Sequence, residues 1–301
     1  MNPSRSALLI AFATIYIVWG STYLGIRIAV ESIPPFLMAS LRFLAAGALT
    51  LGFLRLRGPL CFKLHQVRDN AIVGVLLLMG GNGLISWAET SIPSGITSLL
   101  IGSQPLIMVL TEWAWKGGLK PNLITLGALV LGFAGVAWLA APWESQAGGA
   151  LPVGGVIAIL VACISWAIGS IYSRHAHNPA PLFSGAGIQM LAGSAALAIV
   201  AAIRGEWSAW HPACVSLRSW LAVGYLTVVG SLVGFSAFVW LLKHSTPARV
   251  STYAYVNPVV ALFLGWLILH EPLGARTLVA SAVIVAAVVI ITVQKSRTSS
   301  A

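Results

Sequence analysis

Charge is what this chain has least of. Charged residues make up 8% of its 301 positions, and only seven of them are acidic. A soluble domain carries about a quarter of its residues as Asp, Glu, Lys or Arg, so this scarcity, with 58% apolar residues and a mean hydropathy of +0.91, excludes a water-soluble globular protein. Cysteine is nearly absent too. Cys61, Cys163 and Cys214 lie far apart with no CxxC among them, which excludes a disulfide framework and a thiolate metal site. His175 and His177 are the nearest approach to a metal pair, and their spacing suits neither one helix face nor a finger. Hydrolase, metalloprotease and phosphate-loop signatures are all missing, and no polar stretch is long enough to hold a nucleotide domain. ATP-driven work would therefore need a partner chain. No acid, base or nucleophile pair falls on facing spans, so an enzyme is not expected, nor any cofactor or metal. The net charge of +10 is not interleaved with aromatics as single-strand binding requires, which argues against a nucleic-acid partner.

What is present is a series of long apolar runs: Ala7 to Ile26, Ile33 to Leu54, Asn70 to Ala88, Ser94 to Thr111, Asn122 to Ala141, Leu151 to Ser173, Pro181 to Ile203, Ser219 to Leu242, Val250 to His270 and Thr277 to Gln294. About 18 to 20 residues of helix cross the hydrocarbon of a bilayer, and these runs reach that length. They do not alternate polar with apolar, which excludes a β-barrel. The expectation is an all-α integral membrane protein of ten transmembrane helices. Arg5 and Ala11-Phe12-Ala13 imitate a signal peptide, but a cut there would leave almost no apolar core before it, so the first run is read as a span.

The runs repeat. At an offset of 147, Trp19 meets Trp166, Arg27 meets Arg174, Pro34 meets Pro181 and Leu44-Ala45 meets Leu191-Ala192. At 150, Val73-Gly74 meets Val223-Gly224, Gly80 meets Gly230 and Ser86 meets Ser236; at 153, Ser98 meets Ser251, Pro105 meets Pro258 and Trp113 meets Trp266. Both steps in offset fit within connecting loops, as expected of a duplicated unit of about 150 residues. The division is 1–145 for the first repeat, spans one to five, and 146–301 for the second, spans six to ten. Five spans per repeat make the second copy enter the membrane from the opposite side, an inverted repeat of the kind transporters use.

Basic residues set the orientation. Arg5, Arg55, Arg57, Lys63, Arg68, Lys116, Lys120, Arg174, Lys243, Arg249, Lys295 and Arg297 fall on one side, against Arg204, Arg218 and Arg276 on the other. The positive-inside rule then places both termini in the cytoplasm of a multi-pass cytoplasmic-membrane protein. Glu31, Glu89, Glu144, Glu206 and Glu271 fall outside.

Polar side chains within apolar spans are the functional candidates. In the ninth span Tyr253, Asn257, Ala261 and Gly265 recur every fourth residue and share a face. The first span offers Trp19 and Tyr23, the third Asn82 and Trp87, the fourth Gln104 and the sixth Trp166. Arg42 is the sharpest, about 12 Å from the outer end of the second span, where a guanidinium must pair or face water. Each has a blander alternative: helix-to-helix hydrogen bonding for the amides and hydroxyls, and for Arg42 a fixed ion pair with Glu89. Gly230-Ser-Leu-Val-Gly234, Ser165-Trp-Ala-Ile-Gly169 and Ala128-Leu-Val-Leu-Gly132 are small-residue seams for close helix packing. Pro105 and Pro258, equivalent in the repeat, each release the carbonyl four residues earlier and are candidate hinges. The fifth and tenth spans carry almost no polar side chains and read as braces or as a homodimer contact.

These residues resemble a known family, the EamA-type branch of the drug/metabolite transporter superfamily, in its YedA-like group of bacterial inner-membrane proteins. The resemblance is carried by Ile17-Val18-Trp19-Gly20-Ser21-Thr22-Tyr23 with Arg27, by Arg42-Phe43-Leu44-Ala45-Ala46-Gly47, and by Gly81-Asn82-Gly83. Pro93-Ser94-Gly95 and Ser251-Thr252-Tyr253-Ala254-Tyr255-Val256-Asn257-Pro258-Val259-Val260, followed by Glu271, complete it. It spans essentially the whole chain. It implies two inverted five-helix repeats, a central cavity lined mainly by spans one, three, four, six, eight and nine, and export of small metabolites, amino acids or drugs. The second repeat departs from the first in having Gln189 where the first has Arg42.

The resulting expectation is a secondary transporter that exports a small-molecule substrate by alternating access, coupled to a proton or another ion. Uptake on the same fold is the alternative, and a channel-like pore the remaining one. Trp19, Trp87, Trp166 and Tyr253 would face an apolar part of the substrate, and Asn82, Gln104 and Asn257 its polar end. The topology is directly testable. A membrane-impermeant maleimide applied to intact cells, or to spheroplasts, should label Cys214 and spare Cys61; labelling of Cys61 would reverse the orientation.

Overall fold

A computed structural model describes residues 4–115, 120–140, 151–175, 181–245, 250 and 252–298. Lys116, Glu144, His177, Arg249 and Ser251, invoked above, lie outside the described residues. All regular structure among the described residues is helical. That is what a bilayer demands of a chain without a closed barrel, because each backbone polar group must find its partner within its own segment.

In chain order, α1 is Arg5–Ala29, α2 Pro35–Arg57 and α3 Leu64–Ala88. Next come α4, Ser94–Ala114, then α5, Leu123–Ala140, α6, Val153–His175, and α7, Leu182–Ile203. The last three are α8, built from Leu217–Tyr225, Leu226–Val233 and Gly234–His244, then α9, Tyr253–Leu269, and α10, Ala275–Thr298. Among the described residues seven of these, α1 to α4 and α6 to α8, are long and apolar enough to cross a membrane. The apolar stretches of the other three, Leu123–Leu139, Val256–Leu269 and Ala275–Ile291, are shorter.

Prolines mark the starts. Pro35 stands in the first turn of α2, and Pro93 and Pro181 immediately precede α4 and α7, positions where a missing N–H removes no helical bond. Three helices depart from α geometry. Val75–Gly83 in α3 and Leu226–Val233 in α8 are π-helical, and α4 is interrupted at Gly102 and Ser103. With the repeat offset of 150, the two π stretches fall at equivalent positions.

The chain divides into two compact units, each drawing on both halves of the sequence. The first comprises Met1–Leu24, Ser91–Leu160 and Val233–Ala301, and the second Gly25–Thr90 and Val161–Leu232. Within the first unit α4 packs on α9 and α5 on α10; within the second α2 packs on α7, as does α3. The pairs α2/α7, α4/α9 and α5/α10 are repeat-equivalent partners. The α2/α7 seam is held by Ser40 and Ser194, each donating to the other's carbonyl at 3.0 and 2.8 Å, and by Phe36, Leu37, Phe43 and Leu197 in one apolar cluster.

Two carboxylates from the second half cap helices of the first. Glu271, just past α9, accepts from the Ser94 N–H at 2.7 Å, the Ser94 hydroxyl at 2.9 Å and the Gly95 N–H at 2.9 Å, all at the start of α4. Glu206, just past α7, accepts from the Leu37 N–H at 2.9 Å in the first turn of α2. Each satisfies donors that a helix start leaves free and sets a negative charge at the positive end of the helix dipole. Burial pushes the Glu206 carboxyl above its usual range, against the Leu37 N–H, which favours the ionised form. Because the folded state holds that proton more tightly than the unfolded chain, stability should fall as pH rises through the interval just above the ordinary glutamate value, and Glu206→Gln should flatten that step. Glu271→Ala should cost about 2 kcal/mol by stripping charge-assisted bonds from the α4 start. Thermal unfolding in detergent against pH reads both.

Candidate functional site

The candidate residues are divided between the two units and form several small groups rather than one site. In the first unit, Trp19 of α1 meets Tyr253 of α9 edge-on at 4.9 Å between ring centroids and Phe238 of α8 at 5.1 Å; Phe238 meets Tyr253 at 6.1 Å. The cluster is tight because Gly234 faces the indole. A Cβ there would lie 2.7 Å from Trp19 Nε1. Beneath it the Tyr16 and Thr252 hydroxyls are 2.5 Å apart, and the Asn257 amide, oriented with its nitrogen toward the carbonyls, donates to Tyr16 at 3.3 Å and Tyr253 at 3.1 Å. Asn257 thus ties α1 to α9, the blander of its two roles. Tyr23 lies one turn beyond Trp19, half-buried.

Gln104 opens the second half of α4, and its buried Nε2 meets no acceptor among the described residues. It is the candidate with donor capacity to offer a ligand. Pro105 stands in the first turn of that half-helix, so the α4 break precedes it, whereas Pro258 sits inside a continuous α9. The two sites are neighbours: a Cβ on Gly102 at the break would lie 3.5 Å from the Pro258 ring.

In the second unit, Arg42 is buried at 6% exposure about two turns into α2. Its Nε donates to Ser231 Oγ in the π stretch of α8 at 3.2 Å, and Ser231 Oγ donates onward to the Leu226 carbonyl at 3.0 Å. The guanidinium carbon lies 4.8 Å from the Phe43 ring centre, and the charge of the fully buried Glu89 acts on it. Arg27 donates to the Glu89 carbonyl at the end of α3, which ties α1 to that end. The repeat-equivalent Gln189 instead donates to Asn70 Oδ1 at 2.8 Å.

Asn82 lies in the π stretch of α3 with a long 3.5 Å bond to the Leu77 carbonyl. Trp166 packs over Gly81 beside it, where a Cβ would lie 2.9 Å from the indole ring, and Ser165 donates to the Leu76 carbonyl at 2.8 Å. Trp19 and Trp166, equivalent in the repeat, therefore both seat on a glycine in or next to a π stretch. Trp87 faces elsewhere, toward Arg204, whose guanidinium lies 5.7 Å from its ring centre and 5.6 Å from that of Phe36.

Sequence reasoning passed over Ser231, Ser165 and Phe238. The first two sit in the segments read above as packing seams, and nothing in a small-residue spacing distinguishes a serine that binds a freed carbonyl. Among the described residues no three His, Cys, Asp or Glu side chains are grouped to hold a metal.

Removing the Arg42 side chain should take from Ser231 the donor that fixes its hydroxyl on the Leu226 carbonyl. Arg42→Ala should abolish transport while protein remains in the membrane, with a stability loss of about 2 kcal/mol from the lost charge-assisted bond to Ser231. A variant that is less stable in detergent yet transports normally per folded molecule would make the charge structural alone.

Comparison with known proteins places the chain. The model of the EamA-like transporter family matches residues 5–141 and again 153–293. The chain is 41% identical over 288 residues to the "Uncharacterized inner membrane transporter YedA" of Escherichia coli (strain K12), covering 95% of this chain and 90% of that one. It is 26% identical to the "Uncharacterized transporter YvbV" of Bacillus subtilis (strain 168), covering 97% and 92%. A solved crystal structure of a protein 22% identical to it shares the fold with a TM-score of 0.64, covering 98% of this chain and 99% of that one. With two copies of the family pattern filling nearly its whole length, the chain belongs to the EamA-like transporter family and is a multi-pass membrane transporter.

Proposed function

We propose that this protein is a secondary transporter of the cytoplasmic membrane that exports a small metabolite, amino acid or drug by alternating access. The reading takes α1 to α10 as ten spans in two inverted repeats, 1–145 and 146–301, with both termini in the cytoplasm. The observation that carries it is a polar network in apolar helices: Arg42, Ser231 and Glu89 buried together in the second unit, where a protein that only needed to pack would place hydrocarbon. Within the first unit Trp19, Tyr23 and Tyr253 are the candidates for an apolar part of the substrate and Gln104 for a polar one; within the second, Trp166 is the apolar candidate and Arg42 and Asn82 are the polar ones, while Trp87 is taken up by Arg204 and Asn257 by two backbone carbonyls. Glu89, a buried acidic side chain of the same unit whose charge acts on Arg42, is the candidate to carry a coupling proton. The inner-membrane name of YedA supports the location.

The packing of repeat-equivalent helices on one another supports the inverted repeat, since a two-fold axis brings equivalent surfaces into mutual contact. Pro105 and Pro258 are the paired hinges, beside a break in one helix and within the turn of the other. Fewer polar side chains on α5 and α10 suit them as braces, or as the contact of a homodimer.

Counterflow in proteoliposomes tests the function. Vesicles preloaded with an unlabelled candidate, amino acids in one set and cationic drugs in another, should accumulate the labelled solute transiently and saturably. Flux that never saturates and shows no counterflow would indicate a pore instead. In the same vesicles Pro105→Ala and Pro258→Ala should shift the inward/outward balance in opposite directions; equal shifts in one direction would rule out the paired hinge.

A further inference from the structure

π geometry is rare and is usually confined to a single turn, often at a functional site. Here it occupies 9 residues of α3 and 8 of α8, at equivalent positions of the repeat. Three carbonyls in these stretches are held by side chains: Leu76 by Ser165, Leu77 by Asn82 and Leu226 by Ser231. In α register the same carbonyls would bond the N–H groups four residues on, which belong to Gly80, Gly81 and Gly230. All three alternative partners are glycines. A glycine there weakens the α register, through its backbone entropy, and leaves room for the neighbour that holds the π form. A Cβ on Gly80 would collide with Ser165 Oγ.

The two stretches differ in what holds them. Ser165 and Asn82 are neutral and bind carbonyls of α3 directly. Ser231 is itself held, because Arg42 Nε occupies its oxygen and so directs its proton to the Leu226 carbonyl. A buried charge on α2 is thereby wired into the backbone register of α8. Beyond the π stretch, Gly234 and Phe238 belong to the Trp19–Tyr253 cluster. One residue of helical register is about 100° of rotation and 1.5 Å of travel. A change at Leu226–Val233 would therefore turn Phe238 away from Trp19.

We propose that the π stretch of α8 is a register switch in the transport cycle, and that Ser231 is the positioning residue through which Arg42 holds it. While Arg42 donates to Ser231, the π form persists and the aromatic cluster stays closed. When an anionic group, of substrate or of Glu89, takes the guanidinium, Ser231 is released, the Leu226 carbonyl returns toward the Gly230 N–H, and Gly234–His244 rotates. This rests on the reading of Arg42 as part of the transport machinery.

Hydrogen–deuterium exchange on the full chain in lipid nanodiscs tests it without requiring a substrate. Ser231→Ala and Arg42→Gln should each raise exchange at 226–238 at least tenfold, the double variant should match the single ones, and Ser231→Thr should behave as the parent. Exchange in α5 and α10 should not move, which separates a switch from general loosening. Parent-like exchange in Ser231→Ala, additive effects in the double variant, or acceleration spread over the chain would overturn the proposal. If Ser231→Ala does not fold, Ser231→Cys, a near-isostere with a weaker donor, is read by the same criteria. Failed counterflow in the parent sinks the transport reading and leaves this pattern standing; a flat exchange pattern with counterflow intact sinks the switch alone.

Discussion

A polar atom in hydrocarbon must be paired inside the protein, and the rest of this structure follows from that constraint. It makes every described element a helix. It explains why helix starts and irregular backbone are where the chain's few polar side chains gather. Glu271 and Glu206 lie at helix starts, Ser165, Asn82 and Ser231 lie on π carbonyls, and Asn257 lies on the carbonyls of two helices. Against that background Arg42 and Glu89 stand out. A hydroxyl can satisfy a carbonyl at little cost, whereas a buried guanidinium and a buried carboxylate carry desolvation penalties that packing alone does not justify.

The duplication supplies a second constraint. Equivalent helices pack on one another, equivalent tryptophans seat on glycines, and equivalent spans carry π stretches, so each half is completed by residues from the other. The symmetry is broken at the charged positions. Arg42 has Gln189 as its counterpart, and the described carboxylate caps come from the second half alone. A carrier with two openings needs the shared architecture to be nearly two-fold and the energetics of the two openings to differ, and side-chain substitutions at equivalent sites provide such a difference without altering the fold.

Much of this was legible in the sequence. Hydropathy marks the helices, seven of them long and apolar enough to cross a membrane, because the bilayer imposes length and composition on each one separately, and the repeat shows as matched Trp, Pro and Gly at an offset that steps from 147 to 150 to 153. Arg42 was conspicuous because a charge in an apolar run has few uses. What could not be read is anything decided by a partner distant in sequence. Ser231 lies 189 positions from Arg42, and Glu271 lies 177 from Ser94. Asn257 and Gln104 looked alike, each an amide before a proline, yet one is bonded to two carbonyls and the other has no acceptor for its Nε2 among the described residues. The π stretches were hidden because glycine-rich runs such as Gly80-Gly81-Asn82-Gly83 serve equally as packing seams. The α4 break falls ahead of Pro105, since proline favours the first turn of a helix and the residues before it yield.

Alternating access is the central claim, and a single cysteine at position 82, beside the π stretch of α3 in an otherwise cysteine-free chain, tests it most directly. Its reaction with an impermeant maleimide can be timed from each face, using right-side-out and inside-out vesicles. The account predicts reactivity from both faces, with any change of pH or solute that raises one rate lowering the other. Reactivity from one face alone, or rates from the two faces that rise and fall together, would contradict it.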